Sequence, residues 1–356
     1  MANHLVIMAG GIGSRFWPLS NQDCPKQFID IMQCGRTMIQ QTLDRFQGII
    51  DIKNVWVVTN EKYSHYVQEQ LKGTNAQHIL LEPCMRNTAP CIAYASWKIK
   101  KEDPDAVIIV SPSDHFVGDI SSFKKAVNKG LSFVTSTKRI LTLGIKPSKP
   151  ETGYGYIQQE QEEEEGIYGL CAFKEKPDYE TALRYISIGG YSWNSGIFMW
   201  SVDTITQEIR QYAPEIASKM SEIDESLFTE KEQEIVNKIF PQCPKISIDY
   251  AVMEHTALAY VMPVEFGWSD LGTWGSLYNL SQHDNHGNTL KHGHTLCIET
   301  ENCVIQFKED KKAIIQGLKD YIVAEKGNDI LICQKAKEQE ITHWLEVINK
   351  DENSTN

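Results

Sequence analysis

Residues Leu5 to Met8 form an apolar run that empties directly into Ala9-Gly10-Gly11-Ile12-Gly13-Ser14-Arg15. The run is long enough for one buried strand and too short for a helix. A strand ending in a glycine-rich turn brings bare backbone N–H groups close to a bound anion. Arg15 adds a planar fork of donors suited to phosphate oxygens, and Lys26 follows across a proline-bounded loop. Two common glycine-rich patterns fail here. A Walker A loop needs a lysine inside the turn, and the dinucleotide fingerprint needs a third glycine where Ser14-Arg15-Phe16 stands. A strand-to-helix turn that binds nothing remains the structural alternative, but that role does not require both Arg15 and Lys26.

The next segments alternate. Thr37 to Phe46 has apolar residues at helical spacing, Asn54 to Thr59 reads as a buried strand, Tyr63 to Leu71 as a helix and His78 to Leu81 as a strand. This βα alternation implies parallel strands with helical crossovers, in which ligands sit beyond the carboxyl ends of the strands. Two further junctions of that kind follow. Glu82-Pro83-Cys84-Met85-Arg86-Asn87-Thr88 carries more polar groups than a helix cap at Thr88 demands. The strand Ala106 to Val110 ends at Ser111-Pro112-Ser113-Asp114-His115, where Asp114 is placed either to hold a divalent cation or to serve as a turn residue. His115 fits a packing or hydrogen-bonding role.

Further on, Phe123 to Thr135 reads as a helix and Ile140 to Leu143 as a strand. Gly153 and Gly155 allow close backbone approach, and the Glu-rich run through Glu165 reads as a solvated hairpin tip. Glu175, Lys176 and Asn194 lie among aromatic residues, a mix that grips sugar hydroxyls and phosphate, although Lys-Pro and Asn-Ser-Gly are also ordinary turn chemistry. Asp203 to Phe240 reads as polar-faced helix forming a lid or flank, with Asp249 as N-cap of the next helix. Asp270 is a second carboxylate of the kind that binds magnesium. From His283 the pattern changes to short β-prone runs, implying a small all-β domain. His283, His286, His292 and His294 lack regular ligand spacing and fit turns or surface better than zinc. Residues after Asp351 read as a disordered tail.

Composition excludes whole classes. The 356-residue chain has a net charge of −12, against a general nucleic-acid binder. No apolar run approaches the ~18–20 residues a membrane span requires. Nine cysteines lack a Cys-x-x-Cys pair, which argues against a zinc ribbon or thioredoxin motif. With no signal peptide before the first strand, reduced thiols in the cytoplasm are expected.

Taken in order, AGGIGSRFWPLS with PKQF, EPCMRNTAP, SPSDHF, GYGYI, FKEKP, WNSGIF, SIDYAVME and FGWSDLGTW resemble the nucleoside-diphosphate-sugar pyrophosphorylases, most closely the mannose-1-phosphate guanylyltransferases. Each segment is weak alone; together, from the first strand to about Tyr278, they are specific. The resemblance implies an α/β, Rossmann-like (GT-A-type) domain over residues 1–282, with a mostly parallel mixed sheet and flanking helices. A small β-helical C-terminal domain, often used for homodimerisation, would follow over 283–350, and the tail over 351–356. An appended isomerase domain, found in longer relatives, is not expected.

By the same resemblance, Gly10, Gly11, Gly13 and Ser14 lie against the nucleotide, with Arg15 and Lys26 on its phosphates. Asn87, Ser111, Ser113 and Asp114 lie by the nucleoside. Gly153, Glu175 and Asn194 line the sugar, and Lys176 holds the sugar phosphate. Asp114 and Asp270 bind Mg2+, with Asp270 also facing the sugar phosphate. Arg15, Lys26, Asp114 and Asp270 are then the catalytic set. The implied reaction joins GTP and α-D-mannose 1-phosphate to give GDP-mannose and diphosphate. Alternatives are the same chemistry on another sugar 1-phosphate or nucleotide, or a GDP-mannose-binding regulatory homologue without turnover. A dehydrogenase is discounted by the missing third glycine.

Overall fold

A computed structural model describes residues 2–11, 13–291, 294–307 and 310–354. In chain order its strands are β1 (Asn3–Ala9), β2 (Val55–Asn60), β3 (Ile79–Glu82), β4 (Val107–Pro112), β5 (Phe116–Val117), β6 (Ile140–Ile145), β7 (Tyr156–Glu164), β8 (Ile167–Lys174), β9 (Tyr191–Ser201), β10 (Ala259–Val264), β11 (Trp268–Ser269), β12 (Thr289–Lys291), β13 (His294–Ile298), β14 (Val304–Gln306), β15 (Lys312–Gln316), β16 (Tyr321–Lys326) and β17 (Asp329–Gln334). Contacts divide the chain into two compact units: Met1–Gly10, Thr42–Ser113 and Val117–Trp268 form one, and Gly11–Gln41, Asp114–Phe116 and Ser269–Asn356 the other.

The first unit is built on a nine-stranded sheet in the order β3-β2-β1-β4-β9-β6-β10-β8-β7. β8 and β9 run against the rest, so the sheet is mixed and mostly parallel, as the βα alternation requires. Its central strands are apolar on both faces because both faces are covered: Val107 to Val110 and the apolar residues of Ile140–Ile145 are buried. The helix Thr88–Glu102 is buried from Ala89 through Ile99, which explains its nearly continuous small and apolar sequence.

Two helix caps differ from the sequence expectations. Asn87, not Thr88, is the N-cap: its side chain accepts from the Thr88 N–H at 2.8 Å. The Thr88 hydroxyl instead accepts from the N–H of Ile248 at 2.9 Å, a partner distant in sequence. Asp249 caps nothing; it opens the five-residue π-helix Asp249–Met253, and its carboxylate accepts from Asn194. Of the two roles expected for the stretch after Asp203, lid or flank, its packing is that of a flank. Its helices Val202–Tyr212, Pro214–Asp224 and Glu232–Ile239 bury Ile205, Ile209, Met220 and Val236 in the same core as Tyr94 and Ile99. The Glu-rich run forms the exposed end of the β7–β8 hairpin.

In the second unit, successive short strands alternate between two parallel ladders. β12, β14 and β16 form one, closed by antiparallel β17; β13 and β15 form the other. Phe16, Trp274, Leu277, Val304, Ile322 and Leu331 share one core, with the Phe16 and Trp274 ring centroids 5.4 Å apart. The C-terminal helix runs Ile341–Ser354. Among the described residues no helix is long and apolar enough to cross a membrane.

Gly144 in β6 tests how tightly the first sheet is packed. A Cβ there would lie 2.6 Å from Ser192 Cβ and 2.7 Å from Val261 Cγ2, both on buried strands. Gly144→Ala is expected to lower stability by about 1–3 kcal/mol, the usual cost of overpacking, read as a lower denaturation midpoint in urea.

Candidate active site

In the second unit, Gly13, Arg15, Lys26, Asp114, His115, Asp270 and Gly272 line one cavity of about 330 Å³. Arg15, Lys26, Asp114 and Asp270, expected from the sequence to act together, thus meet from three separate stretches of chain. Lys26 is 3% exposed. Its ammonium donates to the carbonyls of Asp270 at 2.7 Å and Leu271 at 2.9 Å, and lies 3.0 Å from Asp114 Oδ2. An ammonium has three hydrogens, so these partners use all of them. The Phe16 ring adds a cation–π contact, with its centroid 5.9 Å from Nζ.

Burial acts to raise the Asp114 carboxyl, but Lys26 and then His115 outweigh it, and the group sits below the ordinary carboxylate range. His115 Nε2 is 3.8 Å from Asp114 Oδ1. Asp114 therefore stays ionised at neutral pH.

The glycine turn is fitted to this cluster. Gly13 has φ +67°, and a Cβ there would lie 2.5 Å from Lys26 Cβ. Conformation and space both demand glycine. Its carbonyl accepts from the Phe16 N–H at 3.2 Å and from the Ser20 hydroxyl. Gln27 Nε2 donates to the Gly11 carbonyl at 2.9 Å. Arg15 is exposed, and the Ser14 side chain lies outside the described residues, as does His292. Asp270 Oδ1 accepts from the Gly272 N–H at 3.0 Å. Two aspartates on one cavity offer the hard oxygen donors that a divalent cation takes together with substrate phosphates. Among the described residues no group of three or more His, Cys, Asp or Glu side chains is arranged to hold a metal ion by itself.

The first unit holds the other expected residues. Asn194 donates from its backbone N–H to the Gly155 carbonyl at 2.9 Å, and from Nδ2 to Asp249 Oδ1 at 2.9 Å. Glu175 Oε2 would lie 2.9 Å from a Cβ on Gly155, and Glu175 Oε1 is 3.4 Å from Lys176 Nζ. Glu175, Lys176 and Asn194 therefore gather around Gly155, with the Tyr154 and Trp193 rings 5.2 Å apart beside them. Gly153 sits in the preceding turn, where its N–H donates to Glu151 Oε1 at 3.2 Å. Asn87 is exposed, with φ +67°. Ser111 and Ser113 are buried; the Ser113 N–H donates to the Met8 carbonyl at 3.1 Å, and its own carbonyl accepts from Thr42 Oγ1 at 3.1 Å.

Two carboxylates escaped the sequence analysis. Asp249 looked like a cap. Glu82, at the end of β3, is 6% exposed; its Oε2 lies 3.5 Å from where a Cβ on Gly10 would be, and its Oε1 has no hydrogen-bond partner among the described residues. Burial pushes its carboxyl up to about 8, against a hydrogen bond from Cys91. Its position directly after an apolar strand and before Pro83 was the only available signal.

The nucleotidyl transferase family model matches residues 4–287. The mannose-1-phosphate guanylyltransferase of Escherichia coli K12 is 37% identical over 359 residues, covering 97% of this chain and 73% of that protein. The alginate biosynthesis protein AlgA of Pseudomonas syringae pv. tomato is 36% identical, covering 97% and 71%. A crystal structure described as mannose-1-phosphate geranyltransferase from Thermus thermophilus superposes with a TM-score of 0.87 at 28% identity, covering 98% of this chain and all of that one.

Glu82 gives the protein a pH signature. Its folded-state pKa is raised, so the folded state holds a proton that the unfolded state releases between about pH 4.5 and 8. Stability then falls as pH rises through that window. Glu82→Gln is expected to remove this component, flattening the profile by up to ~1.4 kcal/mol per pH unit, as checked by urea denaturation at pH 5, 6.5 and 8.

Proposed function

Because the chain belongs to the nucleotidyl transferase family, and within it to the mannose-1-phosphate guanylyltransferases, we propose that it joins GTP and α-D-mannose 1-phosphate into GDP-mannose, releasing diphosphate. The observation that carries this is the cavity on which Arg15, Lys26, Asp114 and Asp270 meet beside the Gly13 turn.

The chemistry needs no dedicated base. A sugar 1-phosphate is already an ionised oxygen nucleophile. Its oxygen forms a bond to the α-phosphorus of GTP as the bond to the bridging oxygen of diphosphate breaks. The protein aligns the two reactants and offsets the charge that develops. Arg15, exposed on the cavity, offers a planar fork to phosphate oxygens. Lys26 is fully partnered within the protein, so a phosphate contact by its ammonium replaces the Asp114 carboxylate as its third partner. Asp114 and Asp270 would hold Mg2+, which when bound neutralises phosphate charge and acts as a Lewis acid.

Gly10, Gly11, Gly13 and Ser14 are assigned to the nucleotide with Asn87, and with Ser111 and Ser113 acting through the backbone at the end of β4. Gly153, Glu175 and Asn194 are assigned to the sugar; Lys176 and Asp270 are assigned to its phosphate. The functional division is assigned near residue 282, with 283–350 as a small β-helical domain, although the helix Ile341–Ser354 carries on into the expected tail 351–356; the alternating parallel ladders support the β-helix. We assign a homodimer to that domain. Its support is the outward face on which Leu296 and Ile314 pair across β13 and β15 at 55% and 75% exposure. A cytoplasmic setting accords with nine free cysteines.

The test is diphosphate release with Mg2+, crossing GTP, ATP, UTP and dTTP with mannose and glucose 1-phosphates. Release confined to GTP with mannose 1-phosphate is expected. Asp114→Asn and Asp270→Asn are each expected to cut kcat by ~10²–10³-fold, the scale of losing one preorganised electrostatic group. Preference for another pair would overturn the substrate, and binding of GDP-mannose without turnover would overturn the activity.

A further inference from the structure

Asn194 is held in a fixed orientation by two bonds that come from very different places in the chain. Its Oδ1 accepts from the N–H of Gly196 at 3.0 Å, a local turn made possible by φ +69° at that glycine. Its Nδ2 donates to Asp249 Oδ1 at 2.9 Å, a partner 55 residues away on the π-helix Asp249–Met253. A side-chain amide is nearly symmetric in shape, so nothing but its hydrogen bonds decides which end is oxygen and which is nitrogen. Here one bond specifies each end. One N–H and one lone pair remain, aimed in directions the other two bonds dictate.

Asp249 has the surroundings of a group kept for such a task. Glu175, which would crowd a Cβ on Gly155, acts electrostatically on it, and Gly155 is the residue whose carbonyl receives the Asn194 N–H. Burial raises the Asp249 carboxyl and the Glu175 charge works in the same direction, while the Asn194 hydrogen bond opposes them. A carboxylate whose pKa the fold raises weakens the folded state at neutral pH. Single-turn π segments are rare and are frequently found at functional sites.

We propose that Asp249 is a positioning residue for the sugar phosphate: it fixes the amide of Asn194 so that this side chain presents a defined donor and acceptor to the sugar hydroxyls. The proposal rests on the sugar assignment of Asn194 made above and adds the residue on which that assignment depends. Substrate contact belongs to Asn194; Asp249 acts through it.

The consequence is a specific coupling. Asp249→Ala is expected to raise KM for mannose 1-phosphate at least tenfold while leaving KM for GTP within about twofold. In an Asn194→Ala background the same substitution should add almost nothing, because the group it orients is gone. Asp249→Asn keeps an acceptor for Nδ2 and should stay within about threefold of the wild type. The experiment measures both KM values for the wild type, the three single variants and the Asp249→Ala/Asn194→Ala double variant, with thermal midpoints alongside. Losses that simply multiply in the double variant overturn the proposal, as does an equal rise in both KM values with a lowered midpoint that Asp249→Asn fails to restore. A wild type inactive with mannose 1-phosphate and every nucleotide overturns the assigned reaction itself, and the positioning role falls with it.

Discussion

The ammonium of Lys26 is the constraint around which the second unit is arranged. A positive charge at 3% exposure is tolerable only if every hydrogen finds a partner and an opposite charge lies close. The chain meets both conditions by drawing in Asp114 from the end of one strand and the carbonyls of Asp270 and Leu271 from a turn far along the sequence. Several local features follow. Gly13 must be glycine because Lys26 Cβ occupies the space a side chain would need. Leu271 takes φ +45°, and Asp270 folds back onto the N–H of Gly272. The charge is thereby held inside the protein on the wall of the cavity that Arg15 and Asp270 also line.

The first unit solves a different problem. Its central strands are apolar on both faces, so the chain places polar chemistry mainly at strand ends and in the connections. Asn87 and Ser113 lie where a helix begins and a strand has just ended, while Asn194 sits inside β9 opposite Gly144, next to a register shift in the β6 ladder. The sugar-binding candidates gather around Gly155, where absence of a side chain leaves room for the Glu175 carboxylate. Two carboxylates of this unit, the buried Glu82 and the half-buried Asp249, have their pKa raised, in each case first by desolvation. Such groups weaken the folded state, and their retention fits a functional demand.

Much of this was legible in the residues. The run Leu5 to Met8 followed by three glycines specified a buried strand and a close-approach turn, and Val107 to Val110 could only be a central strand. The pairing of Arg15 with Lys26 pointed to phosphate before any geometry was known. Local chemistry also accounts for the bond from the Gly196 N–H to Asn194 Oδ1 within β9, since an asparagine oxygen reaches the N–H two residues on with no help from the fold. Patterns that depend on one neighbour were less secure. Thr88 and Asp249 both looked like helix caps, and both hydroxyl and carboxylate went to partners 160 and 55 residues away.

The sequence by itself therefore determined the elements, their αβ alternation and the kinds of group at each strand end, because period, propensity and turn chemistry act over a few residues. Only the tertiary structure decided which of those groups meet. Lys26 with Asp114 and Asp270, and Asn194 with Asp249, are matched by burial and by the need to pair every desolvated polar atom, a condition that exists only once the chain has folded.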